Sequence, residues 1–203
     1  DHSDSRHPRI RTMFVHVYNN YYDGNAKYGV GAAKDSSAFV EGNYFRNCKY
    51  PMLSSMQGSD IANGGGTFSS ENGGIIKAYN NYIEGGKGVV YYDASSVPVE
   101  FDAYLASSRD EEVPSSVKAK QGGKTFDNSN VDSYILSIPV EEPAAAKTKV
   151  ESYAGRTGND FIYTFNNSVD DTDYDINTAL ASAVETYVKN TADDFVSYGG
   201  ASD

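Results

Sequence analysis

The sequence predicts an all-β fold, a parallel β-helix, in which short strands follow a coil and each turn pairs with the next. Three observations lead to this prediction: the composition, a strand-like segment that recurs, and an asparagine at one fixed position of each copy. The 203 residues include 17 Tyr, 9 Phe and 19 Gly, which is typical of short strands separated by frequent turns. With 39% hydrophobic residues the chain can form one sizeable domain, and we assign residues 1–203 to it.

The recurring segments align on Asn20, Asn43 and Asn81, and their sequences are VHVYNNYY (15–22), AFVEGNYF (38–45) and IIKAYNNYI (75–83). Apolar residues alternate at period two up to the asparagine, so that Val15, Ala38 and Ile76 share one column. Asparagine tolerates left-handed backbone and can hydrogen-bond to its neighbours in a stack, so it suits the corner of a turn. The alternative is three antiparallel strands of a sandwich, which would not require asparagine at one register.

The intervals between the three asparagines are 23 and 38 residues, so the second carries an insertion at about residues 49–74. This insertion includes the run NGGGTFSSENGG, and long loops of β-helices usually lie on the binding face. Ser54, Ser55 and Gln57 of the insertion could hydrogen-bond to a sugar, but ordinary loop polarity explains them better.

The end of the chain has helical rather than strand-like periodicity. The segment DINTALASAVETYV (175–188) places a stripe of apolar residues on one face, namely Ile176, Leu180, Val184 and Tyr187 or Val188. Asp173 or Asp175 is the predicted N-cap. We expect residues 168–203 to form a C-terminal amphipathic helix and tail that pack on the coil.

The acidic balance of the chain argues against several functions. Its 28 acidic and 17 basic residues give a net charge of -11, whereas nucleic acids and anionic membranes require a broad basic surface. No segment is long enough to span a bilayer. Cys48 is the only cysteine, which excludes an intrachain disulfide, and we predict that it is buried.

The first stretch of the chain concentrates positive charge, because Arg6, Arg9 and Arg11 surround Pro8. Guanidinium groups stay charged and bind carboxylates through paired hydrogen bonds, and proline stiffens the backbone between them. The stretch therefore predicts an anion site, with a solvated basic loop as the alternative. Its histidines, His2 and His7, do not have the spacing of a metal site, and we expect them to be hydrogen-bonded at the surface.

Three segments, in this order, resemble the pectate lyases of the parallel β-helix pectate and pectin lyase family (polysaccharide lyase family 1 type): RHPRIR (6–11), VHVYNNYYDG (15–24) and VEGNYF (40–45). Arg6 and Arg11 match the arginines of the family's Arg-x-Pro-x-x-Arg signature, and Pro8 supports the motif. The resemblance is strong over residues 1–90 and implies a right-handed coil.

The resemblance implies β-eliminative cleavage of (1→4)-α-D-galacturonan (polygalacturonate or pectin) to 4,5-unsaturated oligogalacturonides. Arg6 would be the catalytic base that removes the C5 proton, and Arg11 would bind the substrate carboxylate. Because free arginine holds its proton very tightly, a base role requires neighbouring cations and shielding from water. Otherwise Arg6 only clamps the carboxylate.

The resemblance also implies a Ca²⁺ cofactor held by carboxylates. In the family these ligands, and a substrate lysine, precede the arginine motif, whereas only five residues precede Arg6 here. We therefore expect a C-terminal half of a secreted (extracellular or periplasmic) lyase, with no metal ligands of its own. It would be inactive without an N-terminal half as partner, and unstable or prone to aggregation alone, because open strand edges attract other strands.

Other functions stay open at this point. A non-catalytic β-helical module could bind acidic polysaccharide through the same arginines, and pectin lyase, which acts on methylated substrate without calcium, is a close relative. A polygalacturonase would need two carboxylates as acid and base, and the predicted strands do not suggest such a pair.

Overall fold

The computed structural model describes residues 3–153 and 174–190, and ten strands and four helices lie within these ranges. The strands are β1 (Arg9–Arg11), β2 (Phe14–Tyr18), β3 (Tyr21–Asp23), β4 (Tyr28–Ala33), β5 (Ser37–Glu41), β6 (Tyr44–Arg46), β7 (Tyr50–Ser54), β8 (Ile75–Tyr79), β9 (Tyr82–Glu84) and β10 (Tyr104–Leu105). The helices are α1 (Gly58–Ala62), α2 (Ser133–Ser137), α3 (Pro143–Tyr153) and α4 (Thr178–Asn190), and a 3-10 turn covers Ser129–Val131.

The strands form three sheets, ordered β1-β4-β7, β2-β5-β8-β10 and β3-β6-β9, which we call sheets one, two and three. All pairings between these strands are parallel, so the antiparallel sandwich is wrong. The chain visits the three sheets in turn and then repeats, which is consistent with a parallel β-helix. Val15 pairs with Ala38 and Ala38 with Ile76, which confirms the predicted column.

The corner asparagines form a continuous ladder between turns. The side-chain oxygen of Asn43 accepts hydrogen bonds from the backbone and side-chain nitrogens of Asn20, at 3.0 and 2.9 Å. The oxygen of Asn81 accepts the same pair from Asn43, at 3.1 and 3.0 Å. The left-handed residues are those one position earlier (Asn19, Gly42 and Asn80, with φ of 55°, 63° and 45°), so our assignment of that conformation to the ladder asparagines was wrong.

Apolar side chains from all three sheets fill the interior, including Ile10, Val17, Val40 and Phe45. Cys48 lies in this core, as predicted, and its thiol donates a 3.3 Å hydrogen bond to Asn25 Oδ1. Burial raises the pKa of the Cys48 thiol to about 11, which disfavours the nucleophilic thiolate.

Helix α4 lies within the segment that we expected to be helical, but its cap differs from our prediction. The side-chain oxygen of Asn177 accepts a 2.8 Å hydrogen bond from the backbone of Leu180, so Asn177, directly before the helix, is the N-cap rather than Asp175. Asp173, the other predicted cap, lies outside the described residues, as do 168–172 and 191–203, so packing of the tail on the coil stays a prediction. Among the described helices none is long and apolar enough to cross a membrane.

Candidate anion-binding site

The arginine stretch leads directly into the first strand of sheet one. The backbone N–H of His7 donates to the carbonyl of Gly29 (2.9 Å), and the carbonyl of Pro8 accepts from Gly31 (2.9 Å), so the motif is tied to β4. The peptide bond between His7 and Pro8 is cis. His7 hydrogen-bonds to Ser3 Oγ (2.9 Å) and is partly buried, which agrees with its prediction, whereas His2 lies outside the described residues.

Arg6 is exposed at the edge of this sheet and has a left-handed backbone, with φ of 72°. Its Nη1 lies 3.5 Å from the hydroxyl of Ser5, and among the described residues no carboxylate lies within ion-pair distance of it. The described residues therefore do not supply the shielding that a base role requires. A bound substrate would have to supply it.

Arg11, by contrast, already binds a carboxylate of the chain itself. Its Nη2 and Nε lie 2.7 and 2.9 Å from the two oxygens of Glu71, and its side chain is 50% exposed. Arg9 donates to the same carboxylate at 2.9 Å and to the carbonyl of Phe68 at 2.8 Å. Desolvation raises the pKa of Glu71, but the hydrogen bonds from Arg11 and Arg9 outweigh it, so its pKa is lowered. Arg9 and Arg11 therefore bind a carboxylate of the chain itself, and binding of an external anion at this stretch stays a prediction.

Glu71 comes from the insertion, which folds over the outer face of sheet one. Phe68 of the insertion packs on Tyr28 at 4.8 Å between ring centroids, and the guanidinium of Arg9 lies 5.4 Å from the Phe68 ring. We missed Glu71 from the sequence, although it is the only acid of the run NGGGTFSSENGG. An acid in a glycine-rich loop on the binding face was the available signal.

The polar residues of the insertion that we considered for sugar binding are buried structural groups. Ser54 Oγ donates to the carbonyl of Gly74 (2.7 Å), and Ser55 Oγ donates to that of Glu71 (2.6 Å). Gln57 donates from its amide to the carbonyl of Phe101 (2.8 Å). These bonds hold the loop in place, in agreement with the preferred interpretation.

Two cavities meet at Arg6. One, of about 620 Å³, lies along the exposed edge formed by β2 and β3 and is lined by Pro8 and His16. The other, of about 540 Å³, lies between the tip of the insertion and two lysines, Lys27 and Lys49. Arg6 can therefore reach a ligand in either cavity.

A separate charged cluster lies on the outer face of sheet two and has a structural role. Glu41 is buried, and it accepts hydrogen bonds from Arg109 Nε (3.0 and 2.9 Å) and pairs with His16 Nε2 (2.7 Å). Lys77 is also buried and donates to the backbone carbonyls of Arg109 (2.8 Å) and Glu111. Burial lowers the pKa of Lys77 to about 8. Because each of these charges is hydrogen-bonded by groups of the chain, the cluster fixes the covering segment rather than binding a substrate.

Glu111, beside this cluster, should make the stability of the fold depend on acid pH. Hydrogen bonds from Ser107 and Tyr104 lower the pKa of Glu111 to about 2, below its ordinary 4.5. A carboxylate with a depressed folded-state pKa stabilises the fold above its unfolded pKa and loses that contribution as the pH falls. We therefore expect part of the drop in Tm between pH 4.5 and 2 to disappear in Glu111→Gln, measured by circular dichroism. Glu112→Gln, at an exposed neighbour, is the matched control, and equal profiles for the two variants would contradict the prediction.

Comparison with known proteins finds one family and several partial relatives. The model of a family described as pectate lyase matches residues 1–194. Pectate lyase 3 of Pectobacterium atrosepticum is 34% identical over 76 residues, which covers 37% of this chain and 19% of that protein. Probable pectate lyase 16 of Arabidopsis thaliana is 48% identical over 40 residues, which covers 20% of this chain and 10% of that protein. The chain therefore matches only a small part of the length of these relatives, and no solved structure matches it significantly.

Proposed function

Because the chain belongs to the pectate lyase family, we propose that it takes part in the β-eliminative cleavage of (1→4)-α-D-galacturonan, with 4,5-unsaturated oligogalacturonides as products. The observation that carries the proposal is the arrangement of the arginine motif. Arg6 is exposed at the junction of two cavities, and Arg11 is in a position to grip a carboxylate. The polymer carries one free carboxylate on each uronate that is not esterified. Guanidinium groups bind carboxylates through paired, charge-assisted hydrogen bonds.

In the proposed reaction Arg6 accepts the C5 proton of a galacturonate unit. The C5–H electrons form the C4–C5 double bond while the C4–O4 bond breaks, and the departing oxygen keeps its electron pair until it is protonated. The C5 proton becomes acidic only if the adjacent C6 carboxylate is neutralised. Preorganised positive charge therefore supplies most of the stabilisation of the negative charge that develops when this proton leaves. Since Arg6 is exposed in the unliganded chain, the polymer itself must cover it before it can act as a base.

Arg11 contributes by holding the substrate carboxylate, and for this it must exchange partners. Its present partner is Glu71, so an incoming uronate competes with that side chain for the same guanidinium. An ion pair as exposed as this one contributes little, about 0–1 kcal/mol, so the exchange is energetically accessible.

Calcium does not fit the residues that the structure describes. Ca²⁺ takes six to eight oxygen ligands, with carboxylates prominent among them. Within residues 3–153 and 174–190 no group of three or more His, Cys, Asp or Glu side chains is placed to hold a metal ion. We propose that the ligands lie outside these ranges, on an N-terminal half that acts as the partner of this chain. Secretion to the extracellular or periplasmic space also fits, because the polymeric substrate cannot enter a cell.

Removing the internal partner of Arg11 should strengthen substrate binding. We expect Glu71→Gln to lower KM for polygalacturonate about two- to fivefold at unchanged kcat, because the uronate no longer has to displace a carboxylate. Steady-state kinetics checks this, with the exposed Glu112→Gln variant as the control for removing one negative charge. A higher KM would instead mean that Glu71 holds Arg11 in its binding position.

A non-catalytic module that binds acidic polysaccharide through the same arginines is the second candidate. The exposure of Arg6 favours it, because a charged arginine in contact with water binds carboxylates but holds its own proton. The two candidates are separated by following the ultraviolet absorbance of the unsaturated uronide from polygalacturonate on the whole protein. Product formation that stops when Ca²⁺ is chelated and resumes when Ca²⁺ is added back supports the assignment as a lyase. Binding of the polymer without product supports the module.

A further inference from the structure

We propose that Lys27 and Lys49 form a second carboxylate-binding subsite beside Arg6, which takes another free uronate of the polymer. The proposal deepens the proposed function and rests on it for the identity of the ligand. It concerns the 540 Å³ cavity whose lining includes both lysines and Arg6.

The two lysines occupy equivalent positions on successive turns of the coil. Tyr28 and Tyr50 are register partners in β4 and β7, and each lysine directly precedes one of them. The backbone confirms the stacking, since the N–H of Tyr50 donates to the carbonyl of Lys27 at 3.2 Å. Neighbouring strands lie about 4.8 Å apart, so the lysines stand side by side along the stack. A chain of uronates running along the stack would meet both of them.

The charge of the cavity is opposite to that of the protein. Its lining holds three cations and no carboxylate among the described residues, in a chain of net charge -11. Lys27 pairs with Asp4 at 3.1 Å, but the two side chains are 59% and 39% exposed, and such pairs contribute little. An anionic ligand can therefore take the place of Asp4. Cations gathered in a concave site also focus the field and attract anions.

The floor of the cavity is aromatic and is formed by Tyr28 and Tyr50. The hydroxyl of Tyr28 is buried beneath this floor and has no hydrogen-bond partner among the described residues. Desolvation raises the pKa of Tyr28, while Arg9 and Arg6 oppose this effect, so the hydroxyl lies in the field of the arginine motif. Ligand sites commonly combine an aromatic lining with a few polar groups in this way.

The lysine side and the loop side of the cavity leave room for a polymer. The ammonium of Lys49 lies 5.9 Å from the ring centroid of Tyr50 and 5.5 Å from that of Tyr174, which holds it at the rim by cation–π attraction. The opposite wall is the tip of the insertion, where Gly66 has left-handed backbone (φ 84°). A Cβ at Gly66 would meet no atom within 4 Å, so this wall is open.

The subsite predicts a preference for free over esterified uronate. A carboxylate can pair with Lys27 and Lys49, whereas a methyl ester carries no charge and gains only weak hydrogen bonds. The variants Lys27→Gln, Lys49→Gln and the double variant remove these charges while keeping polar side chains of similar length. Lys118→Gln, at an exposed lysine outside the cavity, is the matched control.

We expect KM for polygalacturonate to rise about threefold in each single variant and about tenfold in the double variant, with kcat within about twofold. Highly methyl-esterified pectin should show no such increase, and added salt should reduce the difference on polygalacturonate. A double variant that matches Lys118→Gln on polygalacturonate would overturn the subsite, and so would an equal loss on the esterified polymer. The variants should keep the wild-type Tm, since both lysines lie at the surface of the cavity.

Calorimetric binding of trigalacturonate to the whole protein separates this proposal from the proposed function. If the wild-type protein forms no unsaturated product but the double variant binds trigalacturonate more weakly, the lyase assignment fails and the subsite stands. If the wild-type protein forms product and the double variant binds trigalacturonate as tightly as the wild type, the subsite fails and the lyase assignment stands.

Discussion

Replacing Arg6 with alanine is expected to lower kcat on polygalacturonate by about a hundred- to ten-thousandfold, the contribution of a positioned general base. KM should change little, because Arg11 and the two lysines still bind carboxylates. The measurement is the initial rate of unsaturated product at saturating polymer. Since Arg6 is exposed and has no ion pair with the described residues, the fold should tolerate the change, and the Tm should stay within a few degrees of wild type.

Arg6→Lys distinguishes a base from a clamp. If Arg6 only grips a carboxylate, lysine should restore most of the rate, because it keeps the charge. If Arg6 is the base, the lysine variant should be slow at neutral pH and should gain activity as the pH rises towards about 10.4, the ordinary pKa of lysine. Alanine and lysine variants that both raise KM at normal kcat would remove the base assignment.

Replacing Arg109 with alanine is expected to cost about 3–5 kcal/mol of the free energy of unfolding, the largest stability effect that the structure suggests. The change leaves Glu41, whose side chain is 2% exposed, without the Arg109 Nε–H that both of its carboxylate oxygens share. It also removes hydrogen bonds from Arg109 to the carbonyls of Ile135, Leu136 and Ile138, which anchor α2. Urea denaturation of the whole protein measures the change.

Arg11→Ala is the matched control for this stability prediction, because it also deletes an arginine from a carboxylate pair. The Arg11 side chain is 50% exposed and Glu71 keeps Arg9 as a partner, so the cost should be below about 1 kcal/mol. Equal losses for the two variants would mean that burial does not set the strength of these pairs. A small loss in Arg109→Ala would contradict the prediction.

The repeated frame could be predicted from the sequence because it depends on local pattern. Period-two alternation and a fixed asparagine were enough to place Val15, Ala38 and Ile76 in one column. The same reasoning misplaced the left-handed residue by one position. Positions 19 and 20 are both asparagine, and the residue type alone does not say which of the two has the left-handed backbone. It misplaced the cap of α4 for a similar reason, because three candidate cap residues, Asp173, Asp175 and Asn177, lie within one turn.

The site was less predictable because its contacts join distant parts of the chain. Arg11 and Glu71 are 60 residues apart, and their pairing depends on how the insertion folds back over sheet one. The lysine pair had a signal that we did not use, namely the dipeptide Lys-Tyr, which occurs at 27–28 and again at 49–50. A repeated dipeptide on consecutive turns indicates a stacked pair of side chains.

The asparagine ladder has a consequence for how such a protein can change over evolution. The two intervals that separate its members differ by many residues, 23 against 38, yet the hydrogen bonds across them are nearly identical in length. Register is therefore fixed at the corners and is independent of loop length. The part of the insertion that follows β7, which carries Glu71 and borders the lysine cavity, can lengthen or shorten while the asparagine ladder beneath it keeps its register. Loop length and the register of the coil are thus encoded separately, so a grafted loop can change the wall of the cavity while the coil that carries Arg6, Arg11 and Lys27 keeps its register.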